Sequence, residues 1–395
     1  MNKKTLKDLN VENKRVLVRV DFNVPIKEGI ITDTNRIEAS LTTIKYLIDN
    51  NAKAILMSHL GRPKGEPKPE FSLKPVAQKL SEMIGQDVKF IDSDKVVDDS
   101  VIEESKKLQP KEIMLIQNTR FRKEEEKNDQ TFSKELSQLA DLYVNDAFGT
   151  SHRAHASNVG VSKFLPSAVG FLVQKEIEIM GKALENPERP FTAILGGAKV
   201  SDKIGVIENL LDKVDTILIG GAMAFTFIKS QGKNVGKSLI EEDKLDLAKS
   251  LLEKAQEKGV KIFLPVDFVV AKEMSEESDS KVINIDDFTD DIAGFDIGTK
   301  TIKIFDEEIQ KSKTIVWNGP MGVFEIEQFS KGTFEIANSL VKSKAITIVG
   351  GGDSASAIAK SGNKDKVTHV STGGGASLEF LEGKVLPGID CIDER

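Results

Sequence analysis

Short runs of β-branched and aliphatic residues alternate with longer amphipathic stretches along almost the whole chain. The runs are Arg15–Val20, Ala54–Met57, Ile113–Ile116 and Leu142–Asn145, then Phe191–Leu195, Thr216–Ile219, Lys261–Leu264, Thr314–Trp317, Ala345–Val349 and Lys366–Val370. Between them, Asn35–Asp49, Leu73–Ile84, Lys244–Lys258 and Phe329–Val341 carry helical spacing. Strands covered on both faces read as continuous apolar runs, and such runs separated by helices imply βαβ units and a parallel sheet. Two blocks in series predict an α/β protein with two doubly wound, Rossmann-like parallel-sheet domains. Phe171–Leu184 has no glycine before Gly181 and reads as a helix joining the blocks. The expected division is 1–170, a linker helix over 171–185, and 186–395, with Asn186-Pro187 and Arg189-Pro190 punctuating the second start. A chain of 395 residues suits two domains of ordinary size.

Composition narrows the function classes. Apolar residues make up 39% and charged residues 30%, as in a globular protein. The lone cysteine, Cys391, excludes an internal disulfide framework and suits a reducing compartment, so a cytoplasmic location is expected. Met1–Asn10 holds three lysines and no apolar stretch, unlike a secretory signal, and no run is long enough to span a bilayer. A net charge of −7 argues against nucleic acid as a partner.

Residue types divide unevenly between the two parts. Residues 1–170 hold 27 Lys+Arg against 25 Asp+Glu, and 171–395 hold 28 against 37. Seven of nine arginines and three of four histidines lie in the first part, while 23 of 30 glycines lie in the second. Arginine gives planar, two-pronged recognition of carboxylate and phosphate. Glycine at strand ends lets backbone approach a ligand. The first part therefore reads as a site for a small, highly charged anion and the second as a cradle for a larger ligand.

Ligands of open parallel sheets bind beyond the carboxyl ends of strands. In the second part those ends read Gly196-Gly197-Ala198-Lys199, Gly220-Gly221, Asn318-Gly319-Pro320-Met321-Gly322, Gly350-Gly351-Gly352-Asp353 and Ser371-Thr372-Gly373-Gly374-Gly375. All five should converge on one sheet edge as a nucleotide site. A P-loop is excluded, because Gly236-Lys237-Ser238 is preceded by Gln231 where the pattern needs glycine. Gly350-x-Gly352-x-x-Ala355 half meets the dinucleotide fingerprint, but the next strand ends His369-Val370-Ser371-Thr372 without a carboxylate. Asp353 suits either Mg²⁺ on phosphates or a helix N-cap. Lys199 and Lys203 lie one helical turn apart and would face a transferring phosphoryl group if a helix began near Val200.

In the first part the strand ends carry charge: Asp21-Phe22-Asn23, His59-Leu60-Gly61-Arg62, Arg120-Phe121-Arg122 and Asp146 through His152-Arg153-Ala154-His155. Arg36 opens the Asn35–Asp49 stretch. His152-x-x-His155 has metal-pair spacing but no acidic or cysteine third ligand nearby, so hydrogen bonding or anion binding is the expected role. At this stage a nicotinamide-dependent dehydrogenase and a non-catalytic nucleotide-binding module remain open beside a phosphotransferase.

Six motifs in order resemble phosphoglycerate kinases: Arg19-Val20-Asp21-Phe22-Asn23-Val24-Pro25, Ser58-His59-Leu60-Gly61-Arg62-Pro63, Asp146 to Arg153, Gly196 to Lys203, Trp317 to Glu325, and Gly350-Gly351-Gly352-Asp353. The resemblance implies glycolytic phosphoryl transfer from 1,3-bisphosphoglycerate to ADP, giving 3-phosphoglycerate and ATP, with Mg²⁺ carried by the nucleotide. It implies that Asp21, Asn23, Arg36, His59, Leu60, Gly61, Arg62, Arg120 and Arg153 hold the phosphoglycerate. Lys203, Gly294, Glu325, Gly351, Gly352, Asp353 and Ser354 would hold the nucleotide, with Glu325 on the ribose and Asp353 at the metal. Arg36, Lys199 and Lys203 would face the transferring group. A monomer is expected, and in the family the C-terminal tail returns to the first domain.

Overall fold

Arg15–Val20 (β1), five of its six residues buried, is the strand around which the first sheet is ordered. The computed structural model describes residues 2–395. It divides into two compact units, one running to Glu178 and including Val385–Arg395, the other Ile179–Lys384. In the first unit β1 is followed by a short hairpin, β2 (Ile26–Lys27) and β3 (Ile30–Ile31), then α1 (Asn35–Asp49), β4 (Lys53–Met57), α2 (Lys74–Ile84) and β5 (Val88–Ile91). Next come α3 (Asp99–Lys107), β6 (Ile113–Ile116), α4 (Gln130–Ser137), β7 (Leu142–Asp146) and β8 (Ser167–Val169), and α5 (Phe171–Glu185) runs from the first unit into the second. The sheet order is β5-β6-β4-β1-β7-β8 and every pairing is parallel. From β1 the chain passes to β4 on one side and later to β7 on the other. That change of direction opens a crevice at the carboxyl ends of β1, β4 and β7, where ligands of such sheets bind.

The second unit contains β9 (Phe191–Leu195), α6 (Ile204–Leu210), β10 (Thr216–Ile219), α7 (Met223–Ser230), α8 (Leu245–Glu257), β11 (Lys261–Phe263), β12 (Asp267–Ala271), β13 (Lys281–Asn284) and β14 (Ala293–Ile297). It continues through α9 (Thr299–Lys311), β15 (Thr314–Asn318), α10 (Lys331–Lys342), β16 (Ile346–Gly350), α11 (Gly352–Lys360), β17 (His369–Val370) and α12 (Gly375–Leu381). Its main sheet is ordered β11-β10-β9-β15-β16-β17, all parallel. The five glycine-rich strand ends therefore share one edge, as expected. The order reverses between β9 and β15, so Gly196-Gly197 and Asn318-Gly319 flank the crevice.

The structure departs from the sequence reading in several places. An antiparallel sheet, β13-β12-β14, was not anticipated, and it packs Phe268 with Phe225 and Phe288 at ring separations of 4.6 and 5.6 Å. The strand expected over Lys366–Val370 shortens to β17, because Thr368 and Thr347 exchange side-chain bonds to each other's backbone N–H at 3.0 and 3.1 Å in place of ladder pairing. Residues 385–395 group with the first unit, where α13 (Pro387–Asp390) lies, so the tail returns there as the family resemblance implies. There the Gly388 N–H donates to Ser151 O at 2.8 Å, and the Asn145 amide donates to Gly388 O at 2.6 Å.

Candidate functional sites

A cavity of about 260 Å³ opens at the carboxyl ends of the first sheet. Asp21, Asn23, Arg36, His59, Gly61, Arg62, Arg120 and Arg153 line it, together with Glu126, Gly149, Thr150, His152 and His155. They come from four strand ends and the start of α1. Asp21 and Asn23 follow β1, His59 to Arg62 follow β4, Arg120 follows β6, and Gly149 to His155 follow β7. Arg36 is the second residue of α1. Four arginines around so small a space build a strong positive field, and one or two small anions would satisfy it.

The polar contacts orient these groups. Arg36 Nη1 donates to Asp21 Oδ2 at 2.5 Å, and Asn23 Oδ1 accepts from the Gly61 N–H at 2.8 Å. Arg120 donates to Gly61 O at 3.0 Å and pairs with Glu126 at 3.4 Å. Burial works against ionising Asp21, but Arg36 first, then Arg19 and the Asn23 N–H, outweigh it and hold its carboxyl below the usual range. Burial pushes His59 well below its usual range, and Arg19, Arg120 and Arg36 add to this against Asp21. His155 is lowered to about 4, by burial first and then by Arg19, Arg120 and Arg153. Both rings are neutral at physiological pH, so the arginines supply the charge and the histidines supply polarity.

Of the residues expected to hold phosphoglycerate, Leu60 alone does not line the cavity. Its side chain packs in the core, and its N–H donates to Asn118 Oδ1 at 3.2 Å. Arg122, which also follows β6, turns aside to Glu124 and Glu135 at 3.2 and 3.0 Å. Glu126, Gly149 and Thr150 were not singled out in the sequence. A carboxylate inside a run of charges carries no signal of its own, and the other two look like ordinary loop residues.

The second unit places its candidates along the glycine-rich edge. The Gly196 N–H donates to Asn318 O and the Gly197 N–H to Pro320 O, at 2.9 and 3.0 Å. A Cβ on Gly196 would lie 2.1 Å from Pro320 O, so the close approach of these loops requires glycine. Lys203 Nζ donates to Asn318 Oδ1, and the Asn318 amide donates to Gly350 O at 3.0 Å. Asn318 thus ties Lys203 to the loop opening α11, a role that its place in a glycine-rich turn did not reveal. Burial lowers the Lys203 ammonium, opposed by Asp202, Asp353 and Glu382.

The expected helix start near Val200 is not found. α6 begins at Ile204, and Lys203 is its N-cap residue. Glu241 accepts from the Ser201 N–H at 3.0 Å and from its hydroxyl at 2.5 Å, while the Lys203 N–H donates to Val200 O at 2.8 Å. Those bonds stabilise a turn where helix would otherwise start. Lys199 is exposed and Lys203 half-buried. Gly352 and exposed Asp353 occupy the first turn of α11, where N–H groups lack intrahelical acceptors. The N-cap is Gly351, so Asp353 is not a cap. The Ser354 hydroxyl accepts from the Gly319 N–H at 2.6 Å and braces the neighbouring loop. Glu325 is exposed, and the Gly294 N–H donates to the Ser238 hydroxyl at 2.9 Å beside exposed Leu239.

A family model described as phosphoglycerate kinase matches residues 6–384. The chain belongs to the phosphoglycerate kinase family. Membership makes it an enzyme, a kinase, and removes the dehydrogenase and non-catalytic readings. Proteins named phosphoglycerate kinase from Clostridium tetani and Clostridium perfringens are 55% and 57% identical over 395 residues, spanning 100% of this chain and 98% and 99% of theirs. The solved phosphoglycerate kinase of Coxiella burnetii superposes with a TM-score of 0.90 at 45% identity, and that of Pyrococcus horikoshii OT3 with 0.85 at 35%. Each comparison covers 98% of both chains.

Proposed function

We propose that the arginine-lined cavity holds 3-phosphoglycerate or 1,3-bisphosphoglycerate and that the glycine-rich edge of the second sheet holds ADP or ATP. The observation that carries this reading is the cavity itself, with four arginines and two neutral histidines converging on about 260 Å³. Arg36, aligned by Asp21, meets the acid end of the substrate, and Arg62, Arg120 and Arg153 meet its phosphate. Asn23 and Gly61 shape the wall between them.

On the nucleotide side, the backbone N–H groups of Gly352 and Asp353 face the phosphates, with Gly351 and Ser354 setting the loop. Glu325 takes the ribose, and Gly294 with Leu239 offers an apolar bed for the base. Mg²⁺ fits as an ion carried by the nucleotide. Among the described residues no group of three acidic, histidine or cysteine side chains is poised to bind a metal, whereas Asp353 offers one exposed carboxylate beside a helix start. When bound, the ion neutralises phosphate charge.

The acceptor carboxylate is ionised near neutral pH, so the reaction needs no general base. The chain's task is to position the reactants, exclude water and neutralise a loose phosphoryl transition state through Arg36, Lys199 and Lys203. Among the described residues no helix is long and apolar enough to cross a membrane. We further infer action as a monomer in the cytoplasm, which the single cysteine and the glycolytic reaction favour. A coupled assay with 3-phosphoglycerate, ATP and Mg²⁺ tests the assignment: turnover should require all three, and turnover without 3-phosphoglycerate would count against it.

A further inference from the structure

Beneath the arginine-lined cavity lies a buried ionic chain. Arg19, on β1, is 1% exposed and every nitrogen of its guanidinium is engaged. Nε donates to the Ser157 hydroxyl at 2.7 Å, Nη1 to Val20 O at 2.5 Å, and Nη2 meets His59 Nδ1 at 3.1 Å. Ser157 in turn donates from its hydroxyl and its N–H to the two carboxylate oxygens of Glu125, at 2.5 and 3.0 Å. Glu125 is fully buried, and burial raises its carboxyl against Arg19 and the bonds from Ser157.

A guanidinium has donors and no acceptor. Its contact with His59 is therefore a hydrogen bond only if Nδ1 accepts, which leaves the ring proton on Nε2. We propose that Arg19 is a positioning residue that holds His59 as its neutral Nε2–H tautomer, so that the ring donates a hydrogen bond to an anionic oxygen of the phosphoglycerate. The reason is chemical as well as geometric. A neutral ring in the other tautomer would present a lone pair to an anion and repel it. A free ring would be divided between the two forms. Because three separate acceptors hold the planar guanidinium, it also fixes the plane of the imidazole.

The charged groups around His59 agree with a ring that does not titrate in the working range. Arg19 on β1, Arg36 on α1 and Arg120 after β6 all disfavour a second ring proton, as does burial. Asp21, which alone favours it, is already paired with Arg36. The inference rests on the assignment of His59 to the phosphoglycerate site, and the experiment separates the two.

The full chain is labelled with ¹⁵N-histidine, and long-range ¹H–¹⁵N spectra are recorded from about pH 5.5 to 8, the range in which a free histidine changes charge. The His59 signal is identified by its absence in His59→Gln. The expected result is an unprotonated Nδ1 and a protonated Nε2 throughout, with the Nε2 signal moving on addition of 3-phosphoglycerate. An averaged signal, or a proton on Nδ1, overturns the proposal. A fixed Nε2–H that ignores saturating 3-phosphoglycerate leaves the tautomer standing, but overturns both the donor role and the placement of His59 in the acid site.

Arg19→Lys keeps a buried cation near Ser157 and Glu125, but not the fork that holds the ring. It should mix the tautomers and raise the KM for 3-phosphoglycerate by about tenfold, the cost of one hydrogen bond to a charged group, with the ADP KM unchanged. Glutamine has no tautomers and can place an amide donor near Nε2. Adding Arg19→Lys to His59→Gln should then cost less than about twofold more. A further tenfold loss in that double variant would show that Arg19 acts other than through His59, and would overturn the proposal.

Discussion

Arg36 is paired with Asp21 at 2.5 Å while its side chain stays 41% exposed, so it is oriented yet open to an incoming anion. Arg36→Ala should raise the KM for 3-phosphoglycerate and lower turnover, leaving ADP affinity within about twofold, because the loss is a local charge-assisted bond. Calorimetric titration with ADP checks this, and a tenfold weaker ADP complex would refute the division into two half-sites. Lys203 poses a different problem. Its ammonium is half-buried, made easier to deprotonate by that burial, and parked on Asn318. During transfer, charge spreads over the equatorial oxygens of the migrating group, and a partly desolvated ammonium interacts with it more strongly than with ground-state nucleotide. Lys203→Ala should therefore cut kcat by about 10²–10³ with a much smaller change in nucleotide KM. Steady-state kinetics at saturating substrates would contradict this if kcat stayed near normal while the nucleotide KM rose sharply.

At the scale of elements, legibility followed burial. The strands β1, β6, β9 and β10 are almost wholly buried and rich in aliphatic residues, and their bounds were readable in the sequence to the residue. β13 is mostly exposed, and β14 is interrupted by Gly294 and Asp296, so neither shows the expected pattern. β5 has one buried residue of four and carries Lys89, and β8 has only three residues, so neither stands out. Glycine-rich strand ends revealed the edge proposed here for the nucleotide, whereas the pairing of Lys203 with Asn318 depends on loops far apart in sequence. Asp146, at the end of β7, shows how an element end carries a pH response. Its Oδ1 accepts from the N–H groups of Leu172 and Val173 at the start of α5, at 2.9 and 3.4 Å. Burial nevertheless pushes its pKa from 3.8 up to about 6, against those bonds and one from Thr43. An acid raised in this way binds its proton more tightly folded than unfolded. Its stabilising contribution is complete below its ordinary pKa and is lost as pH rises through about 6. Asp146→Asn cannot ionise, so relative to wild type it should gain on the order of 3 kcal/mol between about pH 4 and pH 7. Denaturant titrations at the two pH values test this, and a constant difference between the proteins would refute it.

At the scale of the whole molecule, the chain returns after Lys384 to the unit in which it began. The returning segment buries Leu386, Ile389 and Ile392 to 3% exposure or less. Burying three aliphatic side chains contributes about 5 kcal/mol before chain entropy is counted, a large share of what holds a domain of this size together. The segment also braces one wall of the arginine-lined cavity. Gly388 is bonded on one side to Ser151 and on the other to Asn145, and these residues flank the loop from Ala147 to Thr150 that leads to Arg153. The Lys4 N–H donates to Asp393 O at 2.8 Å and the Arg395 N–H to Asn2 O at 3.1 Å, so the first and last described residues share one structure. Truncation after Lys384 should therefore act unequally on the two ligands. Affinity for 3-phosphoglycerate should fall by at least about a hundredfold, because the loop and the first sheet lose their support. Affinity for ADP should change by less than about threefold, because every proposed nucleotide contact lies within Ile179–Lys384. Calorimetric titration of the truncated chain with each ligand separates the outcomes. Equal losses for both ligands would show that the tail supports the fold of both units. An unchanged 3-phosphoglycerate affinity would show that the arginine-lined cavity stands without it.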